Sequence, residues 1–227
     1  MASRSAEAAD RPPTAPSAEE RLAARLAAGV SPDSVRTRTV AIPALTEAGQ
    51  VDRAVYLAVA GTPTPTLDRP LRRLSQAANR SLLWVGIASA MAAVSRDGRR
   101  AAGAGLLAVA VDSAVVNAGV KLAARRRRPD RDSANVPIDR QVPMPTSRSF
   151  PSGHTASGFA FAGAVGQTLP VTAAPLRLLA GVVGYSRVHT GVHYPGDVVL
   201  GALFGASIGE VVGWGVQRAS RRRTAGR

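Results

Sequence analysis

Gly201, Gly205, Gly209 and Gly213 recur at every fourth position of an otherwise apolar stretch spanning residues 198–216. On a helix that spacing collects them into one stripe. In water each glycine weakens a helix by about 1 kcal/mol relative to alanine. In lipid the same stripe lets a second backbone approach closely, which is how small residues pack membrane helices. The segment reads as a membrane span laid against a neighbouring helix. The tail behind it, "RASRRRTAGR" at 218–227, is strongly basic and places the C-terminus in the cytoplasm.

Four more apolar segments, near 81–95, 101–120, 155–169 and 173–186, extend the pattern. Several fall short of the roughly 20 residues that a span needs, and Ala-rich helices buried in a soluble bundle share their composition. Charge distribution favours the membrane. The formal net charge is +14, from 29 Lys and Arg against 15 Asp and Glu, and the arginines gather at 69–80, 96–100, 125–128 and 218–227, between the apolar segments. A mean hydropathy of +0.03 therefore averages a polar N-terminal region with apolar spans. Alternating spans put "RDGRR" (96–100) in the cytoplasm and the loops 121–154 and 187–197 together on the extracytoplasmic side. Five spans would leave the basic N-terminal region outside, against the positive-inside rule. A weak or re-entrant sixth segment near 51–67 would reconcile it.

The expected fold is all-α: a membrane-embedded helical bundle of five to six spans with a short N-terminal amphipathic helix. Residues 1–50 read as a mostly disordered tail, 51–217 as the membrane domain and 218–227 as a basic cytoplasmic tail. The short helix is expected at 17–30, where Ser17 and Glu20 form a capping box and Gly29 a stop. It suits a membrane surface or a solvated position equally. There is no cysteine, which excludes disulfides, thiol nucleophiles and Cys-ligated metals.

Three stretches carry the chemistry of phosphate handling. In "KLAARRRRP", Lys121, the only lysine, stands seven residues before Arg128, so the two cations share a face if the helix persists to Pro129. Arg125, Arg126 and Arg127 read as a solvated or interfacial patch. In "FPSGHTASG", Pro151, Ser152 and Gly153 make a turn at a helix start whose free N–H groups and dipole suit a phosphate oxygen. His154 there is placed to donate a proton, although a capping turn with a bystander histidine has the same sequence. In "SRVHTGVHYPGD", Arg187 offers a planar fork to phosphate oxygens. His193 and Asp197 are four residues apart, so the carboxylate is able to hold one imidazole nitrogen and leave the other to attack. A His–Asp cap is the competing reading.

Taken together, Lys121-x6-Arg128-Pro129, Pro151-Ser152-Gly153-His154 and Ser186-Arg187-x5-His193-x3-Asp197 resemble the type 2 phosphatidic acid phosphatase family. That family shares its superfamily with vanadium-dependent haloperoxidases and bacterial acid phosphatases. The resemblance covers about 100 residues, in order and at the family's spacing. It implies that His193 is a nucleophile forming a phosphohistidine and oriented by Asp197. It implies that His154 protonates the leaving group and then activates water. Lys121, Arg128, Arg187, Ser152 and the Gly153 amide would cradle the phosphoryl oxygens, without metal or cofactor. The implied substrate is a phosphate monoester or diphosphate of a phospholipid or isoprenoid lipid, reached from the bilayer at an extracytoplasmic site.

Two other readings compete. A vanadate-dependent haloperoxidase would use the same cradle but calls for a soluble chain. A non-catalytic basic protein binding membrane or nucleic acid would use the arginines, but 4% aromatic content offers few platforms for stacking bases, so no specific nucleic acid is expected. Oligomeric state has no signature. Among the remaining polar residues, His189 reads as structural or as a rim contact. Asp112 reads as packing-related or water-exposed, because a helical register with Lys121 puts it near the opposite face. Arg177 and Glu210 are expected near the cytoplasmic interface. The motifs specify a phosphate and leave the rest of the lipid open.

Overall fold

The computed structural model describes residues 43–120 and 126–225. Among these there are seven α-helices and no strand. They are α1 (Pro43–Gly61), α2 (Pro65–Ala77), α3 (Leu82–Val94), α4 (Arg96–Ala114), α5 (Gly153–Thr168), α6 (Pro170–His189) and α7 (Pro195–Ala225). Local chemistry sets many of their ends. Proline opens α2, α6 and α7, where a missing N–H costs nothing. Ser95 caps α4 by accepting from the Gly98 amide at 2.9 Å, with Asp97 in the same first turn. Arg187 and His189 occupy the last turn of α6, the favourable end for cations.

Helix α5 is the centre of the bundle and packs against α4, α6 and α7. Its buried residues are mostly Ala and Gly, with Phe161 and Val165 reaching into a cluster that holds Trp84 of α3. The Trp84 and Phe161 rings stack with centroids 5.5 Å apart. The glycine stripe of α7 lies on this helix. A methyl group at Gly205 or Gly209 would overlap the carbonyl oxygen of Ala156 or Ala160, and one at Gly201 would come 2.6 Å from that of Ser152. Gly213 lies over Ala164, so the four-residue spacing of α7 is matched by a four-residue spacing on α5.

Larger apolar side chains point outwards. Val199, Leu203, Val211 and Trp214 of α7, and Leu178 of α6, are more than half exposed. Small residues inside and large apolar ones outside suit a lipid surround, where dispersion at close backbone contact holds helices together. Among the described residues one helix, α7, is by itself long and apolar enough to cross a membrane, over Pro195–Arg223. The pair α2 and α3, bent by 66° at Asn79–Ser81, passes the same test only if counted as one broken span. The expected helices at 81–95, 101–120, 155–169, 173–186 and 198–216 all form, but most are individually short for a span.

Two expectations change. The helix starting at Arg96 does not persist to Pro129: it ends at Ala114, continues as a π-helical turn over Val115–Val120, and residues 126–130 are coil. Arg128 therefore stands in coil and not on the face of a helix. In addition, α1 begins at Pro43, ahead of the boundary expected at residue 51. The helix expected at 17–30 and Lys121 lie outside the described residues.

Candidate active site

The loop following α6 turns back on itself so that the amides of Val192 and His193 both donate to the Arg187 carbonyl, at 3.0 and 3.2 Å. This fixes His193 at the mouth of α7, one turn before Asp197. Both side chains are buried, His193 at 2% and Asp197 at 0% exposure. His193 Nδ1 lies 3.5 Å from Asp197 Oδ2, and Nε2 lies 3.2 Å from the Arg128 guanidinium. Arginine only donates, so Nε2 carries the lone pair and the proton sits on Nδ1, towards Asp197. Burial holds the imidazole down at about 4, with Asp197 pulling upwards and Arg128 and Arg187 pushing further down. His193 is thus a neutral imidazole with its lone pair turned to a guanidinium.

Asp197 is held on every side. Oδ2 accepts from the Ser149 hydroxyl and from the Tyr194 amide at 2.9 Å, while Oδ1 accepts from Arg126 at 2.9 Å. Arg126 also pairs with Asp52 of α1 and lies over the Tyr194 ring at 4.3 Å. Burial opposes the Arg126 charge, and the hydrogen bond to Asp52 with the field of Asp197 more than offsets it, raising this group. Asp52 in turn accepts the Gly196 amide at 2.6 Å. Arg126 is therefore part of the site, and its reading as an interfacial residue is corrected: an arginine run does not reveal which member turns inwards. Arg127 is exposed, as that reading has it. Asp52, Ser149 and Arg126 gave no motif signal, because each acts from a different segment.

Arg128 reaches the same cluster from the coil. It donates to Val192 O at 2.7 Å, to Ser147 O at 2.8 Å and to Arg148 O at 3.2 Å. Burial lowers this guanidinium from its ordinary value, Asp197 opposing and Arg131 reinforcing. Arg187 is 1% exposed, and one of its terminal nitrogens donates to Ser75 Oγ at 2.5 Å and Ser75 O at 3.3 Å, while its Nε finds no hydrogen-bond partner among the described residues. Arg131, also buried, donates to Val142 O and Gly191 O. Two cations from separate segments thus bear on His193, Arg128 by contact and Arg187 through its field.

The second motif meets the third through the backbone. The Ser152 amide donates to the Asp197 carbonyl at 2.9 Å, and the Ser152 hydroxyl accepts from Thr155. Phe150–Pro151 is a cis peptide bond. His154, half-buried in the first turn of α5, has a different partner: Nε2 lies 2.9 Å from Asn79 Oδ1 in the turn between α2 and α3. With Gly153 it lines a cavity of about 200 Å³. Asp112 lines that cavity too, fully buried and accepting from Ser157 at 3.0 Å, so the water-exposed alternative for it does not hold. His189 is buried against Thr64 (2.9 Å) and Asp68 (3.3 Å), a structural placement. Glu210 pairs with Arg177 across α6 and α7 at 2.5 Å. Among the described residues no group of three or more His, Asp or Glu side chains gathers as a metal ion would require.

Residues 102–221 match the PAP2 superfamily. The chain is 34% identical over 194 residues to the decaprenylphosphoryl-5-phosphoribose phosphatase of Mycobacterium tuberculosis, covering 81% of this chain and 95% of that protein. Its fold is similar to the crystal structure of Aquifex aeolicus LpxE (TM-score 0.58, 25% identity, 71% of this chain and 94% of that one). It is also similar in fold to a transmembrane PAP2 type phosphatidylglycerolphosphate phosphatase from Bacillus subtilis (TM-score 0.56, 23% identity, 84% and 90%). On the length of the match, and on the coincidence of its motifs around His193, this chain belongs to the PAP2 superfamily.

Proposed function

We propose that the protein is an integral-membrane lipid phosphatase that hydrolyses a phosphate monoester or diphosphate of a phospholipid or isoprenoid lipid through a phosphohistidine. The observation that carries the reading is the state of His193: buried, neutral, with Nε2 presented to a guanidinium and Nδ1–H to a carboxylate. A protonated imidazole has no lone pair with which to attack; this one has, and it points where arginines would hold a phosphoryl group.

In the first half-reaction Nε2 attacks phosphorus as the bond to the leaving oxygen breaks, and His154 gives that oxygen its proton. The imidazole gains positive charge as the N–P bond forms, and the contact to Asp197 tightens to stabilise it. In the second half, water attacks phosphorus, passes a proton to His154, and the N–P bond breaks to release phosphate. Arg128 and Arg187, with Lys121, the Ser152 hydroxyl and the Gly153 amide, neutralise the equatorial oxygens, so the step needs no metal. A relative that acts on decaprenylphosphoryl-5-phosphoribose supports an isoprenoid-linked substrate. The apolar outer surface supports delivery from the bilayer, and the cytoplasmic charge of the C-terminal tail supports several spans with the site on the extracytoplasmic side.

Detergent-purified protein incubated with radiolabelled phosphatidic acid and polyprenyl phosphates is expected to release phosphate. It should also carry an acid-labile, alkali-stable phosphoryl group on quenching. His193→Ala is expected to abolish both, and His154→Ala to slow turnover while still accepting a phosphoryl group from a good leaving group such as p-nitrophenol. Equal rates for the wild type and both variants would overturn the assignment, and EDTA should leave the wild-type rate unchanged.

A further inference from the structure

Helix α2 turns its one carboxylate inwards and its arginines outwards. Asp68 is taken up by Arg140 at 2.8 Å and stands 3.3 Å from His189, and Ser75 accepts from Arg187. Leu71 is buried, and Leu74 packs against the cluster that holds Trp84. Arg69, Arg72 and Arg73, at three- and four-residue spacing, share the opposite face. Arg69 and Arg73 are exposed, and none of the three forms an ion pair among the described residues. Arg72 is half-buried, and its Nε finds no hydrogen-bond partner there either. The helix is fastened to the active site at two points: Ser75 holds Arg187, and Asn79, in the turn behind it, meets His154. Just past that turn, Leu82 and Val85 of α3 are exposed.

We propose that the arginine face of α2 is a collecting surface for the phosphate headgroups of bilayer lipids, which gathers substrate beside the site before it reaches His193. The proposal rests on the reading of the protein as a membrane lipid phosphatase. Its level in the bilayer follows from α7. Arg218, whose guanidinium lies 5.3 Å from the ring of the exposed Trp214, closes the far end of that helix. At about 1.5 Å per residue it stands about 30 Å from Asp197, one hydrocarbon thickness. An aromatic ring and a cation together mark one interface. The site, and α2 with it, then lies at the other, where Leu82 and Val85 enter hydrocarbon and the arginines meet headgroups. Three guanidiniums on one face make a field that anionic headgroups neutralise and zwitterionic ones do not. The surface reads charge, so it takes lipid phosphates as a class.

The test uses the full chain in nanodiscs of phosphatidylcholine, with phosphatidic acid as substrate. Arg69→Gln/Arg73→Gln removes two charges at exposed positions and keeps good helix formers there. It is expected to raise KM about fivefold to tenfold with kcat unchanged. Arg69→Lys/Arg73→Lys should keep the wild-type KM, because a field depends on charge and not on the guanidinium fork. Phosphatidylglycerol mixed into the disc should compete, raising the wild-type KM towards that of the Gln variant and leaving the variant unmoved. A second readout needs no turnover. In native mass spectra of the detergent-solubilised wild type, phosphatidylglycerol adducts should exceed phosphatidylcholine adducts, and the excess should shrink in the Gln variant. A Gln variant with the wild-type KM, a Lys variant as poor as Gln, or equal adducts in wild type and Gln variant would overturn the surface and leave the phosphohistidine reading intact. Absence of turnover in wild type would defeat the catalytic reading, and the adducts would then decide the surface alone.

Discussion

His193 is the residue on which burial and chemistry meet. Its unfolded value is near 6.5 and its folded value about 4, so between those limits the unfolded chain binds more protons. Stability therefore rises with pH across that window and is lost as pH falls from 6.5 towards 4. Melting temperatures measured from pH 4 to 7.5 should show a steeper fall for the wild type than for His193→Gln. Because the ring stays neutral, phosphoryl-enzyme formation should persist to about pH 5, well below the range where an ordinary histidine loses its lone pair. Asp52 and Arg126 act at one remove, as positioning residues that aim Asp197 at the ring. Asp52→Asn is expected to lower kcat by about 10²-fold with little change in KM, the mark of misplacement rather than lost binding. Asp52→Glu should recover part of it. The four-residue spacing that brings Asp197 within 3.5 Å of His193 was legible in the sequence. The pairing of Arg126 with Asp197 was not, since an arginine run looks alike at every position until a fold chooses which member turns inwards.

At the scale of elements, the contact between α5 and α7 depends on hydrogen atoms standing where side chains would be. Gly205→Ala would set a methyl group into the Ala156 carbonyl, and is expected to cost about 1–3 kcal/mol as overpacking. Gly215→Ala meets nothing within 4 Å and should leave stability unchanged or raised by up to about 1 kcal/mol. Thermal denaturation in one detergent measures both. The four-residue repeat announced this interface before any partner was known, because only close packing gives repeated glycines a use in a helix. Helix continuation past Ala114 failed for a local reason. Residues 115–120 take a π-helical turn and the chain leaves the helix before Arg128, so a register counted in 3.6-residue steps no longer applies.

For the whole molecule, the outward apolar surface of α6 and α7 and the basic tail set the orientation to be tested. The absence of cysteine makes each introduced thiol the only one present. Ser133→Cys, in the exposed loop between α4 and α5, should react with a membrane-impermeant maleimide on intact cells. Ser220→Cys, near the end of α7, should react only after permeabilisation. The reverse pattern would place the site in the cytoplasm. The sequence alone determined the all-helical class, most of the helices from Leu82 onwards, the apolar character of the last one and the family motifs. These are properties of periodicity and spacing, carried within a few dozen residues. Tertiary structure decided that Arg126 and Asp52 brace Asp197, that His154 answers to Asn79, and that Asp112 faces a cavity. Those contacts join segments from α1, the α2–α3 turn and α4 to motifs up to 144 residues away. No local pattern encodes them, because side chains so distant in the chain meet only once the helices have packed.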